Sequence, residues 1–213
     1  METKGKTLKC VTVKALIILL VMTLLCGVIY PLAVTGVSQL FFRDQANGSI
    51  IEVDGKKYGS ALLAQEFTGD EYLWGRIMNV NLTAFFDDNG NPVVDDNGNP
   101  LMYSGPSNKT PAGGELEALV AERVEKIKAA HPKKGDQPIP VDLVTCSGSG
   151  LDPEISPAAA SYQVERIARE RGMDVAEVQD VIAKYTTGKW LGIFGEERVN
   201  VLKVNLALDG ILK

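Results

Sequence analysis

Between Lys14 and Arg43 the chain carries no charged residue, and the stretch reads ALIILLVMTLLCGVIYPLAVTGVSQLFF. Those 28 residues make about 42 Å of helix at the usual rise, against a hydrocarbon core of about 30 Å. A core helix of a soluble domain does not need that length, so residues 15–42 read as a membrane-spanning helix. A cleaved signal peptide has an apolar stretch of roughly 7–15 residues closed by a small-residue site. Here the run is about twice that long and no such site closes it. Lipoprotein attachment at Cys26 calls for a small residue before the cysteine, where Leu25 stands. The reading is an uncleaved anchor.

Charge sets the orientation. Lys4, Lys6, Lys9 and Lys14 precede the span with only Glu2 against them, which places the tail 1–14 in the cytoplasm. Residues 43–213 are then extracytoplasmic. They hold 18 basic and 26 acidic residues, a balance of −8. A domain of that sign does not seek nucleic acid or anionic headgroups. Cys10 falls in the tail and Cys26 in the span, which leaves Cys146 as the one thiol of the outer part, so no intrachain disulfide forms there. With 45% hydrophobic and 23% charged residues overall, the roughly 170 outer residues suffice for one core without staples.

Within the span, Thr23 and Gly27 lie four apart and permit close approach of a neighbouring helix. Tyr30 follows on the same face, and Pro31 removes a helical hydrogen bond and is expected to kink the outer half. Thr35, Gly36, Ser38 and Gln39 make the exit polar. Two readings stand: a plain anchor, or a helix packed against other transmembrane subunits.

Further along, Ser49–Val53 and Lys56–Ser60 flank Asp54-Gly55, a dipeptide suited to a tight hairpin turn. Residues 66–80 show no clean period. A duplication follows, DDNGNPVV at 87–94 and DDNGNPLM at 95–102. Its Asp87, Asp88, Asn89 and Asn91 invite a calcium reading, but an EF-hand loop needs Gly and Glu where Pro92 and Gly98 stand, so a solvated loop tip is expected. Leu116, Leu119, Val120, Val124 and Ile127 mark an amphipathic helix over 115–130, ended by Pro132. A linker over 133–140 leads to 141–145, read as a short buried strand. Ser156 as N-cap, Pro157 and Gly172 bound a helix, and Asp174 with Glu177 form a capping box for another through about Tyr185. Leu202, Val204, Leu206 and Leu208 alternate as one face of a terminal strand. The fold class is α+β: one N-terminal transmembrane helix and one small extracytoplasmic α+β domain.

Self-sufficient chemistry is hard to find. The loop Ser147–Leu151 has the glycine content of an anion-binding turn, but it lacks the Lys-Ser/Thr of a P-loop and the spacing of a dinucleotide fingerprint. The run Gly148-Ser149-Gly150 is not G-x-S-x-G. The single histidine, His131, stands before a proline, and with Cys146 offers no orienting spacing for a thiol pair. One Cys and one His outside the membrane do not make a zinc site.

Several motifs in order give the chain a resemblance. Tyr30-Pro31-Leu32, Ala46-Asn47-Gly48-Ser49, Gly59-Ser60-Ala61-Leu62 with Gln65, Gly75-Arg76, and Ser104, Ser107 and Asn108 come first. Ser149-Gly150-Leu151-Asp152-Pro153, Ile155, Pro157, Ala160 and Gln163 follow, then Val199-Asn200-Val201-Leu202 and Asn205-Leu206-Ala207-Leu208. From about residue 20 to 209 the chain resembles the C subunit of the Kdp-type potassium-importing P-type ATPase. It departs from that pattern at Ile77-Met78-Asn79, at Pro106 and in the 87–102 insert. The resemblance implies a bacterial plasma (inner) membrane complex with a channel-like potassium-binding subunit, an ATP-hydrolysing subunit and a very small single-span subunit. This chain lacks the phosphorylated Asp-Lys-Thr-Gly-Thr of P-type pumps, so the resemblance implies a non-catalytic accessory role, in assembly and in coupling or enhancing ATP use. It also implies a link of Gln163 to ATP, with no covalently bound cofactor. Direct ATP contact conflicts with an extracytoplasmic domain, and Gln163 can equally satisfy backbone groups within the fold. Three functions are therefore carried: an assembly subunit that packs its span on the channel subunit and caps its outer mouth, a direct nucleotide-binding modulator, and a membrane-anchored hydrolase using Ser147, Ser149 or Cys146.

Overall fold

The computed structural model describes residues 2–81, 86–95, 98, 101 and 103–213, the side chains of 2–9, 81 and 103 excepted. The chain divides into two compact units, 1–49 and 50–213. Most of the second copy of the duplication lies outside the described residues.

The first unit is built on the uncharged run. Helix α1 (Glu2–Leu24) passes through a π turn at Leu25–Ile29 into α2 (Tyr30–Phe41). Pro31 has no N–H to give to the Gly27 carbonyl four residues back. The disturbance takes the form of one extra residue in the turn before it, and Tyr30 N–H bonds to Leu25 O, five residues away. The stretch Cys10–Phe41 is long and apolar enough to cross a membrane, and among the described residues none in its most apolar window is buried. At its end Phe42 leaves helical geometry, and α3 (Arg43–Ala46) follows. Gln39 and Asn47 exchange side-chain amide bonds at 3.1 and 3.3 Å across this exit, so the polar end of the run has a structural partner.

The second unit opens with the expected hairpin. Strands β1 (Ile50–Val53) and β2 (Lys56–Ser60) pair antiparallel, with Asp54 and Gly55 both at positive φ, as a tight primed turn requires. Strands β3 (Val80–Asn81) and β4 (Tyr103–Ser104) form a second small ladder. Between them, Asp87 Oδ1 accepts from the N–H groups of Asn89 and Asn91 at 2.9 and 2.8 Å, and that carboxylate closes an exposed turn. Helix α4 (Gly114–Ala130) ends one residue before His131. Past β5 (Glu154–Ile155), α5 (Pro157–Arg171) starts on the Ser156 cap, whose hydroxyl accepts from Ala159 N–H at 3.2 Å, and stops at Gly172 in the left-handed region. Helix α6 (Val175–Lys184) begins at the Asp174/Glu177 capping box. Strand β6 (Thr186–Thr187) and β5 flank the central strand β7 (Arg198–Asn200), both antiparallel to it, and α7 (Val201–Leu208) ends the regular structure. Ala160, Ile167, Val178, Val199 and Val204 are buried at the centre, with Leu73, Trp74, Ile127 and Leu143 packed on them. The fold class is α+β, as the patterning implied.

Two expectations are corrected. Residues 141–145 are not a buried strand: Val141–Leu143 is a 3₁₀ turn, and Val141 faces solvent while Leu143 is buried. Thr145 gives both its N–H and its hydroxyl to Val141 O, and Asp142 accepts from Ser156 N–H at 2.8 Å. These local bonds curl a run whose apolar content alone does not separate strand from turn. The terminal strand read on Leu202, Val204, Leu206 and Leu208 is likewise a helix, and only Arg198–Asn200 before it are a strand. Asn200 caps a helix, accepting from Lys203 N–H at 3.0 Å, and Val201, Leu202, Val204, Asn205, Leu206 and Leu208 are all buried. Alternation at 202, 204, 206 and 208 was only part of a pattern in which 201, 204, 205 and 208 share a helical face.

Candidate functional site

The segment Gly69–Arg76 turns at 69–72, where Tyr72 N–H bonds to Gly69 O, and then runs on without belonging to a sheet, so its carbonyls must find partners elsewhere. They find side chains. Five consecutive carbonyls accept in turn: Asp70 O from Arg166, Glu71 O from Arg171 at 2.7 Å, Tyr72 O from Arg166 at 3.0 Å, Leu73 O from Asn205 at 2.9 Å, and Trp74 O from Gln163 at 3.0 Å. The two carboxamides also accept from the same residues they donate to. Leu73 N–H gives to Asn205 Oδ1 at 2.8 Å and Trp74 N–H to Gln163 Oε1 at 2.9 Å. Each amide side chain thus does for one residue what a neighbouring strand would do.

Gln163 is saturated. Its second donor goes to Ala159 O at 3.2 Å, and its oxygen also accepts from Arg166 at 2.7 Å. All four hydrogen-bonding positions of the amide are then in use, and no part of the residue reaches solvent. A ligand touching this amide would have to displace Trp74, Ala159 or Arg166.

Arg166 links the cradle to His131. Its Nε donates to His131 Nε2 at 3.1 Å, and its guanidinium lies over the Trp74 ring at 3.9 Å. Because Nε2 accepts, the imidazole is neutral with its proton on Nδ1, which donates to Ile127 O at 2.7 Å. Burial, foremost, pushes the His131 pKa down, and the nearby Arg166 cation adds to this. Burial also lowers the Arg166 guanidinium to about 10, still cationic at neutral pH. Both ring nitrogens of the only histidine are therefore occupied.

The motif loop Ser149-Gly150-Leu151-Asp152-Pro153 is a clasp of the same kind. Ser147 Oγ accepts from Gly150 N–H at 3.0 Å and contacts Ser149 Oγ at 3.1 Å, while Ser149 Oγ accepts from Leu151 N–H at 3.2 Å. The backbone then reaches outward: Gly150 O accepts from Asn79 N–H, Leu151 O from Ala64 N–H and Pro153 O from Val201 N–H. Asp152 sits 3.5 Å from the Arg76 guanidinium, which also donates to Cys146 O at 3.1 Å. A Cβ on Gly150 would stand 2.6 Å from the carbonyl oxygens of Asn79 and Gly105, and its φ of 72° suits glycine. Ser147, Ser149 and the Cys146 carbonyl are thus engaged in holding this junction.

Beside the cradle lies a cleft of about 280 Å³, with Glu66, Trp74, Arg76, Arg123 and Lys126 in its wall. Arg123 spends one N–H on Val144 O at 2.9 Å, and the Lys126 ammonium stands 5.3 Å from the Trp74 ring centre. Gln163 does not line the cleft and reaches it only through Trp74. In the span, Thr23 and Gly27 do share a face, since a Cβ on Gly27 would meet Thr23 Cγ2 at an ordinary 3.9 Å. Tyr30 is exposed beside Pro31. The cradle residues Arg166 and Arg171 escaped the sequence reading, and Asn205 entered it only as part of a motif, with no role. Their only signal was polar side chains at core positions of helical patterns.

Residues 12–210 match the family described as KdpC, the K+-transporting ATPase c chain. The chain belongs to the KdpC family. A potassium-transporting ATPase KdpC subunit of Clostridium perfringens is 61% identical over 200 residues, 94% of this chain and 97% of that protein. One from Clostridium botulinum (strain Eklund 17B) is 60% identical over 208 residues, 98% of this chain and all of the relative. A more distant KdpC subunit, from Methylococcus capsulatus, is 47% identical over 197 residues, 92% of this chain and 96% of its own length. As a KdpC subunit, the chain is part of a K+-transporting ATPase complex with other Kdp subunits.

Proposed function

We propose that this subunit is non-catalytic and serves assembly of the pump and the coupling of its ATP use to potassium import. Its apolar helix packs on the channel-like subunit, and its acidic domain caps that subunit's outer mouth on the extracytoplasmic side. The observation that carries this is the Cys10–Phe41 helix, long and apolar enough to cross a membrane, with no residue of its most apolar stretch buried among the described residues. A packed neighbour would use the Thr23/Gly27 face, where backbones approach closely, with Tyr30 and the π turn before Pro31 continuing it. The −8 balance of residues 43–213 raises local cation concentration, an effect confined to about 8–10 Å at ordinary ionic strength. Deleting residues 1–42 is expected to abolish co-purification with the other subunits from detergent. Recovery of an intact complex without them would refute the proposal, and protease access to residues 43–213 in intact cells tests the orientation.

A second reading, direct nucleotide binding that modulates the ATPase, is favoured by one feature: three cations and a tryptophan face in a single cleft. Gln163, with no free hydrogen-bonding position, would act there as a positioning residue for Trp74. ATP titrated into the folded full-length chain in detergent, with Arg123→Ala and Lys126→Ala as controls, separates the readings; no heat at millimolar ATP removes the second. The hydrolase reading finds its candidate nucleophiles Ser147 and Ser149 used in the clasp, and unchanged transport after replacing them and Cys146 by Ala would remove it.

A further inference from the structure

The link between β6 and β7 ends in a tip, Trp190-Leu191-Gly192-Ile193-Phe194, with no charge in it. Its four large apolar side chains are 59–74% exposed and together leave roughly 500 Å² of apolar surface in water. A patch of that size is at the upper end of what a monomer exposes and is often functional.

The tip is not loose. Trp190 and Phe194 exchange both backbone hydrogen bonds at 2.8 and 2.9 Å, and their rings pack at 5.6 Å. Below them Lys189 and Glu196 close an ion pair at 3.1 Å. Leu191 is held at φ 53°, a left-handed conformation that a leucine rarely adopts, although its side chain is exposed. Backbone strain of this kind, unrepaid by packing in its own domain, gathers at sites that clamp something else.

The geometry points to a rigid apolar plug that seats in an apolar pocket of another subunit of the same complex. This rests on the assembly reading above and adds a second point of attachment to it. A bilayer fits less well. Segments that lie in the interface carry free Lys or Arg to meet headgroups, whereas both rim cations are committed, Lys189 to Glu196 and Arg198 to Glu154 at 2.8 Å. Glu197 adds a negative charge between them, and the −8 balance opposes anionic lipid. A second copy fits less well too. Roughly 500 Å² falls short of the roughly 800 Å² per partner of a stable interface. It suffices only where another contact already holds the partners together, so that the tip docks at high effective concentration. The membrane helix supplies that contact within the complex.

The test pairs Leu191→Asp/Ile193→Asp in the assembled complex with Trp190 fluorescence. Both residues are exposed and outside the core, so thermal unfolding of the full chain is expected to match the unaltered protein, which separates docking from folding. Recovery of the double variant with tagged partner subunits is expected to fall at least about tenfold, the share a central apolar anchor carries. Trp190 emission, taken as the difference between complexes with and without Trp190→Phe, is expected to shift to the blue on assembly and to resist quenching by brominated phosphatidylcholine. Unchanged recovery, quenching by the brominated lipid, or tip-dependent self-association of the chain alone would each overturn the inference. Loss of assembly on deleting 1–42 with normal assembly of the tip variant would sink the plug and leave the assembly reading standing; assembly that survives deletion of 1–42 would sink both, because the plug relies on the helix as its tether.

Discussion

Replacing Gln163 by Leu tests whether this glutamine acts within the fold or on a ligand. The substitution keeps the volume roughly but strips Trp74 of partners for both its N–H and its C=O, in a position closed to water. Each buried backbone group left unpaired costs about 1–3 kcal/mol, and Arg166 loses a charge-assisted acceptor as well. A loss of about 4 kcal/mol follows, which for a domain of this size lowers Tm by roughly 8–16 °C. Thermal unfolding of the purified full-length chain in detergent, followed by the emission of buried Trp74, reads this directly. Asn205→Leu is the matched control, because Asn205 grips Leu73 as Gln163 grips Trp74, and a comparable drop is expected. Nucleotide contact gives a different pattern. A Gln163→Leu chain melting within about 2 °C of the unaltered one, with weakened ATP binding and no parallel in Asn205→Leu, would refute the cradle.

Stability should also fall with acidity through His131. Its folded pKa lies below the ordinary value near 6.5, so the unfolded chain takes up the extra proton, and stability present above about pH 6.5 is lost as the pH falls towards the folded value. His131→Gln, which keeps an acceptor for Arg166 and a donor for Ile127 O, is expected to flatten urea-unfolding midpoints between about pH 5 and 6.5. Glu165, held below its usual range by Lys134, titrates under that window. A steep slope surviving in His131→Gln would contradict the assignment. At the motif loop, Gly150→Ala meets the carbonyls of Asn79 and Gly105 and an unfavourable φ, and is expected to cost about 3 kcal/mol or more. Denaturant titration of that variant checks it; a loss under about 1 kcal/mol would show that the loop yields.

Features written in neighbouring residues were legible. Asp54-Gly55, the Ser156-Pro157 start, the Gly172 stop and the Asp174/Glu177 box each fix backbone geometry through atoms a few residues apart, and each stands where its pattern put it. The uncharged run was legible for the same reason. What failed was the reading of short apolar stretches. Val141–Thr145 and Val201–Leu208 hold enough aliphatic residues for either a strand or a turn of helix, and the choice is made by Asp142 with Ser156 and by the Asn200 cap. The cradle was beyond reach because its pairs lie 89–132 residues apart in the case of Gln163–Trp74 and Asn205–Leu73. Resemblance could point to Gln163, but only the packed chain shows what its amide holds.

The distribution of polar and apolar groups bears on function. In the described part of the domain several polar groups are turned inward: His131 is locked between Ile127 and Arg166, Ser147 and Ser149 cap backbone, and Gln163 and Asn205 stand in for absent strands. Apolar surface is turned outward, on the Cys10–Phe41 helix and at the Trp190–Phe194 tip. Here the polar chemistry is consumed in making an unpaired segment rigid, and Trp74, Gly75 and Arg76 come out of that segment along the wall of the cleft. On the proposed assembly role these apolar surfaces are the anchors, and it is there that substitutions should disturb the pump without unfolding the chain.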